Sequence, residues 1–281
     1  MFDFDGTLTE KGEYHPPQEI ADALVNLSQK MPIGFCTGRQ LESFKKHGLS
    51  ELLKEVNDKE RPKFLENLYL FAENGAIGYD FDTSIGDFKE AYRTDWPSDF
   101  IEMPKLQGIL NEAVKEYGEV YYHVHKIVVV MRTKLHDEEE RDINEVYALS
   151  EKMYEITLQV LEKLNPDYEK FVHVGNSGIG VVVGPANGDK DEAIKKFAQL
   201  LERSRDLKFE KDFRDIIVVG DSAQLGGNDY YFLRGRYGIP YTVGEILPPD
   251  SIPNLVFDEN KNRLLNAKGT LTLLKTLLLP S

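Results

Sequence analysis

Two aspartates near the start of the sequence, Asp3 and Asp5, are the residues whose type and spacing most clearly suggest chemistry. Side chains two residues apart on a strand point to the same side, and Gly6 predicts that the strand ends there. The carboxyl ends of strands are where open α/β sheets bind ligands. An acidic turn explains the same residues, whereas a calcium loop does not, because Leu8 occupies the position where that loop needs glycine.

Two other segments offer groups that can bind a phosphate. Thr37 and Gly38 follow an apolar run, and their hydroxyl and amide hydrogens can be donated to a phosphate oxygen. Lys190 lies at the predicted start of a helix, where its charge opposes the helix dipole, and such a local conflict is typical of functional sites. Taken singly, the first segment is more simply a helix cap and the second a surface lysine.

A fourth segment, like the first, contains an aspartate at the end of a predicted strand. Asp221 directly follows a β-branched strand, so its carboxylate also belongs at a carboxyl end, and a glycine-rich loop with Asn228 and Asp229 comes next. Alone, this loop is a turn with ordinary turn formers. The four segments together predict a site with carboxylate ligands for Mg²⁺, a hydroxyl donor and a cation.

Short apolar strands and amphipathic helices alternate around these residues. Strands are predicted at 33–36, 68–71, 216–219, 241–243 and 255–257, and helices over 20–27, 193–201 and 271–279. Continuous apolar strands that alternate with helices predict the α/β class, with a doubly wound parallel sheet covered on both faces.

The middle of the sequence departs from this alternation. Roughly 110 residues separate Gly75 from Gly184, which is too many for a loop inside a compact domain. They include a strand over 126–132, a charged helix over 137–164 and a hairpin over 171–183. We therefore predict an inserted α+β domain at 77–184 between two core parts at 1–76 and 185–281.

Four motifs in this chain order resemble those of the haloacid dehalogenase superfamily of phosphoryl-transfer enzymes. They read DFDGTLT from residue 3, CTGR from residue 36, NGDK from residue 187 and GDSAQLGGND from residue 220. The resemblance covers the two core parts, and AENGA at 72–76 is similar to the segment before the cap in members with a large inserted cap, among them the Cof-type sugar phosphatases. The long fourth motif is more similar to that of eukaryotic-type phosphomannomutases. The resemblance implies a Rossmann-like core with an inserted cap domain.

The resemblance also implies a role for each residue that matches a motif. Asp3 would attack phosphorus to form an aspartyl phosphate, and Asp5 would act first as general acid and then as general base. The remaining roles are Mg²⁺ binding by Asp3, Asp221 and the backbone carbonyl of Asp5, and binding of the phosphoryl oxygens by Thr37, the Gly38 amide and Lys190. Asn228 and Asp229 would orient these groups without binding the metal directly.

The composition limits the other functions. Of the 281 residues, 41% are hydrophobic, which excludes global disorder, and no apolar run reaches the roughly 18–20 residues that span a bilayer. A net charge of −14 argues against a nucleic acid as the main partner. The single cysteine, Cys36, cannot form an internal disulfide, which favours a cytoplasmic protein.

An inserted domain above such a site would exclude water and select the substrate. The candidate substrate-binding residues in it are Lys126, Arg132 and Asn176, whereas His173 is expected to face solvent in its strand. Resemblance to capped relatives suggests a small phosphorylated sugar or polyol.

Three functions follow. A Mg²⁺-dependent phosphatase acting on a small phosphomonoester is favoured by the full set of acids, threonine and lysine. A phosphomannomutase-like phosphomutase is suggested by the spacing of the fourth motif. A non-enzymatic phosphoacceptor module of the receiver-domain kind would also carry acids, a threonine and a lysine. Such a module needs only about 120 residues, so an insertion of this size fits it poorly.

Overall fold

The computed structural model describes residues 1–122, 129–133, 142–250 and 252–279. They fall into two compact units, one of residues 1–93, 190–225 and 229–281, and one of residues 94–189 and 226–228. In chain order, the second unit therefore interrupts the first. Within the described ranges, no helix combines the length and apolar character needed to cross a membrane.

The strands of the described residues are, in chain order, β1 (Ile33–Cys36), β2 (Leu68–Ala72), β3 (Ile77–Asp82), β4 (Asp87–Arg93), β5 (Gly118–Tyr122), β6 (Val129–Thr133), β7 (Val172–Asn176), β8 (Gly180–Pro185), β9 (Ile217–Gly220), β10 (Ile239–Thr242) and β11 (Asn254–Leu255). The helices are α1 (Gln18–Ser28), α2 (Leu41–Phe44), α3 (Ser50–Glu55), α4 (Arg61–Glu66), α5 (Met103–Val114), α6 (Ile143–Leu164), α7 (Lys190–Arg205), α8 (Tyr230–Leu233) and α9 (Asn266–Leu278).

The first unit is built on a sheet whose centre is the start of the chain. Phe2 bridges in parallel to Phe35 of β1 on one side and to Val219 of β9 on the other. Beyond β1 comes the parallel strand β2, and beyond β9 come the parallel strands β10 and β11. The chain thus builds the sheet outward in both directions from residues 1–3, which confirms the predicted doubly wound α/β core.

Both faces of this sheet are buried. On one face, Phe71 packs edge-to-face on Phe197 of α7, with ring centroids 5.6 Å apart. On the other face, Phe4, Phe35 and Phe44 form a cluster of edge-to-face pairs, the closest at 5.0 Å between Phe4 and Phe44. Successive strand residues point to opposite faces, so the continuous apolar strands of the sequence are explained by helices on both sides.

A hairpin extends the sheet beyond β2. Strand β3 pairs antiparallel with β2, and β4 pairs antiparallel with β3. Residues 77–93, which the sequence places in the inserted domain, therefore belong to the first unit, and residues 185–189 belong to the second. The alternation of apolar and polar residues over 77–93 is typical of an edge hairpin with one exposed face.

The second unit contains an antiparallel sheet with the strand order β5-β6-β8-β7. Its apolar core joins alternate residues of these strands to α5 and α6, as in Val120, Met131 and Val181 with Leu110 and Met153. This arrangement has the α+β character expected of the insertion. The predicted helix over 137–164 is observed from Ile143 onward, with Asp142 as its N-cap, and residues 137–141 lie outside the described residues.

The position predicted for His173 is wrong. Its side chain is buried, with 4% of its surface exposed, and Nδ1 lies 3.0 Å from the carbonyl oxygen of Pro185. Burial lowers the pKa of His173, while nearby Asp189 and the Pro185 carbonyl act in the opposite direction. Alternation in sequence indicates which residues share a face, but it does not reveal that a second layer covers that face.

Candidate active site

Asp3 lies at the topological switch point of the sheet in the first unit, where the strand order reverses. Its backbone N–H donates to the carbonyl oxygen of Val219 in β9 at 2.8 Å, and the preceding residue, Phe2, bridges to β1. At such a switch point, the loops after neighbouring strands diverge and leave room for a ligand. The sheet order thus places this carboxylate, 95% buried, where the sequence predicts a site.

Lys190, the first residue of α7, brings two carboxylates together. Its ammonium donates to Oδ1 of Asp3 at 2.7 Å and to Oδ1 of Asp229 at 2.6 Å, and a third hydrogen bond of 3.1 Å reaches the carbonyl oxygen of Cys36. The Lys190 side chain is 1% exposed. Burial by itself would lower the pKa of Lys190, but the Asp229 and Asp3 carboxylates raise it above its ordinary value, so the group stays charged.

Asp229 joins Lys190 to the loop that carries Asp221. Its second oxygen, Oδ2, accepts hydrogen bonds from the backbone N–H groups of Asp221 and Ser222 at 3.0 and 3.1 Å. A Cβ atom on Gly220 would lie 2.6 Å from that oxygen, so only glycine allows this approach. Both Asp229 oxygens are therefore engaged, one with Lys190 and the other with the 221–222 backbone.

Asp221 packs closely against the loop that contains Gly6 and Thr7. Gly6 has a φ of +73°, and a Cβ atom there would lie 2.6 Å from Oδ2 of Asp221. Thr7 donates its hydroxyl hydrogen to Oδ1 of Asp221 over 3.4 Å. On the other side, the carbonyl oxygen of Asp221 occupies the space where a Cβ of Gly244 would stand. The glycines at these positions allow the backbones to approach until the acids meet.

Two side chains of helix α9 form hydrogen bonds to the backbone of residues 6–7. Asn266 donates from Nδ2 to the carbonyl oxygen of Gly6 at 2.6 Å, and Thr270 donates to that of Thr7 at 2.7 Å. A helix about 260 residues away in sequence therefore fixes the loop that follows Asp3 and Asp5. No motif in the sequence indicated this contact.

The acids form one cluster. One carboxylate oxygen from each of Asp3, Asp221 and Asp229 lies within 4.8 Å of the other two. Burial, and then the Asp229 charge, raises the pKa of Asp3 to about 7, against the opposing effect of Lys190. Burial and the neighbouring Asp229 and Asp3 carboxylates likewise raise the pKa of Asp221 well above its usual range.

This donor set fits a divalent cation. Three carboxylates and one ammonium leave a formal excess of two negative charges when all are ionised. Hard carboxylate oxygens are the protein ligands that Mg²⁺ prefers. A cation of charge +2 would balance this excess, and Asp3 and Asp221 each keep a carboxylate oxygen that accepts no hydrogen bond from Lys190 or from the backbone.

Asp5 forms an ion pair with an arginine. Arg39 donates from Nη2 to Oδ1 of Asp5 at 2.6 Å and from Nε to Oδ2 at 3.0 Å. This bidentate pair fixes the plane of the carboxylate, and the guanidinium also lies 5.3 Å from the centroid of the Tyr14 ring. Arg39 was part of a motif in the sequence but received no role there; its position two residues after Thr37 was the signal.

Thr37 directly follows β1, just as Asp3 directly follows the bridging residue Phe2. Its side chain is buried, its N–H donates to the carbonyl oxygen of Phe71 at 2.9 Å, and Oγ1 accepts from the Arg39 N–H at 3.2 Å. Since Oγ1 is the acceptor in that contact, the hydroxyl hydrogen can be donated to a ligand. Gly38, between them, is half-buried.

The candidates in the second unit lie in different surroundings. Asn176 is buried: Oδ1 accepts from Ser150 at 2.7 Å, and Nδ2 donates to Glu151 at 2.8 Å. Arg132 is exposed on β6, with its guanidinium 5.3 Å from the Tyr121 ring centroid. Lys126 lies outside the described residues. Asn228 groups with the second unit, and its Oδ1 has no hydrogen-bond partner among the residues that are described.

A family model for haloacid dehalogenase-like hydrolases matches residues 1–224. The chain therefore belongs to this family. The match confirms the resemblance found in the motifs, and it confirms the predicted class of enzyme, a phosphoric monoester hydrolase of the haloacid dehalogenase type.

Curated proteins similar over most of their length are phosphomannomutases. The one from Spinacia oleracea is 26% identical over 249 residues, covering 86% of this chain and 89% of the relative. The one from Saccharomyces cerevisiae is 27% identical over 267 residues, covering 90% of both. These relatives are enzymes of the same superfamily.

Solved structures with a similar fold are phosphatases. An IMP-bound IMP-nucleotidase from Plasmodium falciparum matches with a TM-score of 0.64 at 16% identity, over 99% of this chain and 67% of that one. The C-terminal domain of trehalose-6-phosphate phosphatase from C. albicans matches with a TM-score of 0.59 at 16% identity, over 99% and 91%. At this identity, the likeness supports the fold.

Proposed function

We propose that this chain hydrolyses a small phosphomonoester, a sugar phosphate, in a Mg²⁺-dependent reaction that passes through a phosphorylated Asp3. The observation that carries the proposal is the cluster of Asp3, Asp221 and Asp229, two members of which are paired with the buried Lys190 ammonium. Aspartate-based phosphoryl transfer uses a nucleophilic carboxylate, a cation for the phosphoryl oxygens and carboxylates that can hold a divalent metal ion.

In the first step, Asp3 forms a bond to phosphorus while the bond from phosphorus to the alcohol oxygen breaks. Because Oδ1 of Asp3 accepts from Lys190, Oδ2 is the oxygen that attacks. Asp5 gives its proton to the leaving alcohol oxygen. Lys190, the Thr37 hydroxyl and the Gly38 amide bind the oxygens of the group in transfer.

In the second step, water hydrolyses the aspartyl phosphate. Asp5, now a carboxylate, takes a proton from the water molecule whose oxygen attacks phosphorus, and the products are inorganic phosphate and free Asp3. The bidentate contact with Arg39 suits this carboxylate form, because both Asp5 oxygens then accept hydrogen bonds. In the first step, one of those oxygens carries a proton and must release its guanidinium contact.

The residues that would hold Mg²⁺ are Asp3, Asp221 and the backbone carbonyl of Asp5. When bound there, the ion neutralises charge on the nucleophile and on the phosphoryl group. Two negative groups 4 Å apart repel by about 4 kcal/mol at an effective dielectric constant of 20. The bound cation would offset a repulsion of this size between the nucleophile and the phosphoryl group.

The test is phosphate release by the purified chain from a panel of sugar phosphates and nucleotides, with Mg²⁺ and with a chelator. We expect Mg²⁺-dependent release that is fastest with a sugar phosphate, and a loss of about a thousandfold or more in Asp3→Asn. Asp212→Asn, at an exposed aspartate, is the matched control. A wild type that releases no phosphate across the panel would refute the proposal, and near-normal turnover by Asp3→Asn would exclude Asp3 as the nucleophile.

A phosphomutase reaction on the same site is the second candidate, and the similarity to phosphomannomutases over 86% to 90% of the chain favours it. A mutase returns the phosphoryl group to a sugar hydroxyl and must bind a second phosphate in the process. Residues 94–189 contain two arginines, Arg132 and Arg141, which is a small number for bidentate binding of a second phosphate. Incubating a hexose 1-phosphate with a bisphosphate primer and following the 6-phosphate separates the two reactions.

A further inference from the structure

The turn that follows β2 has an unusual backbone. Glu73, Asn74 and Gly75 have φ values of +55°, +59° and +98°, so three consecutive residues are in the left-handed region. For residues other than glycine, this conformation is costly and rarely occurs twice in succession. Such strain persists where the surrounding structure needs the backbone in that position.

The backbone amides of this turn bind the loop that carries Thr37. The N–H of Asn74 donates to the carbonyl oxygen of Thr37 at 2.9 Å, and that of Glu73 donates to the carbonyl oxygen of Arg39 at 2.9 Å. The N–H of Thr37 in turn donates to Phe71, two residues before the turn. The left-handed dihedral angles are what direct two successive N–H groups to the same loop.

The Asn74 side chain does not make this attachment. It is 2% exposed, and its Oδ1 has no hydrogen-bond partner among the described residues. Asparagine is one of the few non-glycine residues that adopt the left-handed conformation readily. The residue type is therefore explained by the backbone conformation.

We infer that the turn Glu73–Asn74–Gly75 is a positioning element for the loop Thr37–Arg39, and this inference rests on the proposed function. Thr37 is the donor to the phosphoryl group in that proposal, and Arg39 holds Asp5 by two hydrogen bonds. The turn thus sets the positions of the phosphate-binding hydroxyl and of the arginine that orients the acid–base residue.

Two substitutions at one position separate backbone from side chain. Asn74→Ala removes the side-chain amide and disfavours the left-handed backbone conformation. Asn74→Gly also removes the side-chain amide but permits that backbone conformation. For Asn74→Ala, we expect about a tenfold rise in both KM and the inhibition constant of inorganic phosphate, from the conformational penalty of a left-handed alanine. The Mg²⁺ concentration for half-activity should not change, because Asp3 and Asp221 lie on other loops. Asn74→Gly should stay within about threefold of wild type.

The matched control is Asp206→Ala, at another non-glycine residue with a positive φ of +52°. Asp206 follows the C-terminal end of α7, which is 16 residues long, so it lies about 24 Å along the helix from Lys190. We expect its KM and phosphate inhibition to equal those of wild type. Equal impairment of Asn74→Gly and Asn74→Ala would overturn the inference in favour of a side-chain role, and wild-type behaviour of Asn74→Ala would overturn it outright.

Amide hydrogen exchange distinguishes a failure of this inference from a failure of the proposed function. If the wild type releases no phosphate, the proposed function fails, but exchange in residues 37–40 and 73–76 still tests the turn. We expect faster exchange in both segments for Asn74→Ala and near-wild-type exchange for Asn74→Gly. Unchanged exchange in Asn74→Ala would show that the turn does not hold the loop.

Discussion

The ammonium of Lys190 lies 2.7 Å from Oδ1 of Asp3, although 187 residues separate them in sequence. The same nitrogen reaches Asp229 at 2.6 Å, and all three side chains are buried. The contact joins the start of the chain to the first residue of α7 and to the loop after β9. Charge balance among buried groups is therefore the relationship on which both the stability of this region and the proposed chemistry depend.

Removing Lys190 tests that balance. Lys190→Met should destabilise the fold by about 3–5 kcal/mol, since it leaves two buried carboxylates without their cation. The double variant Lys190→Met/Asp229→Asn should regain much of this stability, because one of those charges is gone. Its phosphatase activity should not return. Thermal unfolding and phosphate release measure the two effects. Equal stability of the single and double variants would contradict the assigned coupling.

The stabilisation by Mg²⁺ should depend on pH. Burial raises the pKa of Asp3 to about 7, from an ordinary value of 3.8. A carboxyl group whose pKa is raised by folding contributes stability below its unfolded pKa and loses it as pH rises through the folded pKa. Mg²⁺ binds the carboxylate form, so its addition should raise the melting temperature more at pH 8 than at pH 5.5. Asp221→Asn should reduce this difference. Equal shifts at both pH values would argue against a metal at Asp3.

The ion pair between Arg39 and Asp5 predicts a defect in turnover. Arg39→Ala should lower kcat by about 10- to 100-fold, because Asp5 loses its orientation. Arg39→Lys should recover part of this, as it keeps a cation but not the bidentate geometry. Arg205→Ala, which removes an arginine that contacts Tyr69 and Asn67, is the matched control and should leave kcat unchanged. A kcat for Arg39→Ala equal to that of wild type would remove Arg39 from the site.

The second unit should lose stability in mild acid. Burial lowers the pKa of His173 below its ordinary 6.5, so the unfolded chain takes up a proton at a higher pH than the folded one. Stability is then present above about pH 6.5 and falls as pH decreases toward the folded pKa. Trp96, the single tryptophan, belongs to this unit, and its fluorescence reports unfolding there. His173→Gln should flatten the pH dependence between 7.5 and 5.5, and His47→Gln, at an exposed histidine of the first unit, should not. Parallel curves for wild type and His173→Gln would contradict the prediction.

Two glycine-to-alanine substitutions should change the free energy of unfolding in opposite directions. In Gly220→Ala, the new Cβ would meet Oδ2 of Asp229 at 2.6 Å, so the loop of Asp221 must move. We expect destabilisation by about 1–3 kcal/mol and weaker Mg²⁺ binding. In Gly108→Ala, nothing lies within 4 Å of the new Cβ, and the helical position should gain about 0.5–1 kcal/mol. Chemical denaturation and Mg²⁺ titration test both, and a stabilised Gly220→Ala would refute the tight packing described.

The sequence was a good guide to elements whose pattern is local. Apolar runs located β1, β2 and β9 within about one residue, because a strand buried on both faces has few polar positions. It did not predict the hairpin of β3 and β4, whose apolar and polar residues alternate but lie in a stretch that the sequence assigns to the inserted domain. It also missed α5 and β5, although Pro104 in the first turn of α5 is a helix-start signal.

The candidate site divides in the same way. The sequence by itself determined the residue types, Asp3, Lys190 and Asp221, and their places at the ends of strands or the start of a helix, since strand ends and helix starts are local features. Only the tertiary structure decided that they meet, that Asp229 bridges Lys190 to the backbone of Asp221, and that Arg39 holds Asp5. Those contacts depend on sheet order and on close backbone approach at glycines, and neither is encoded in any one segment of the chain.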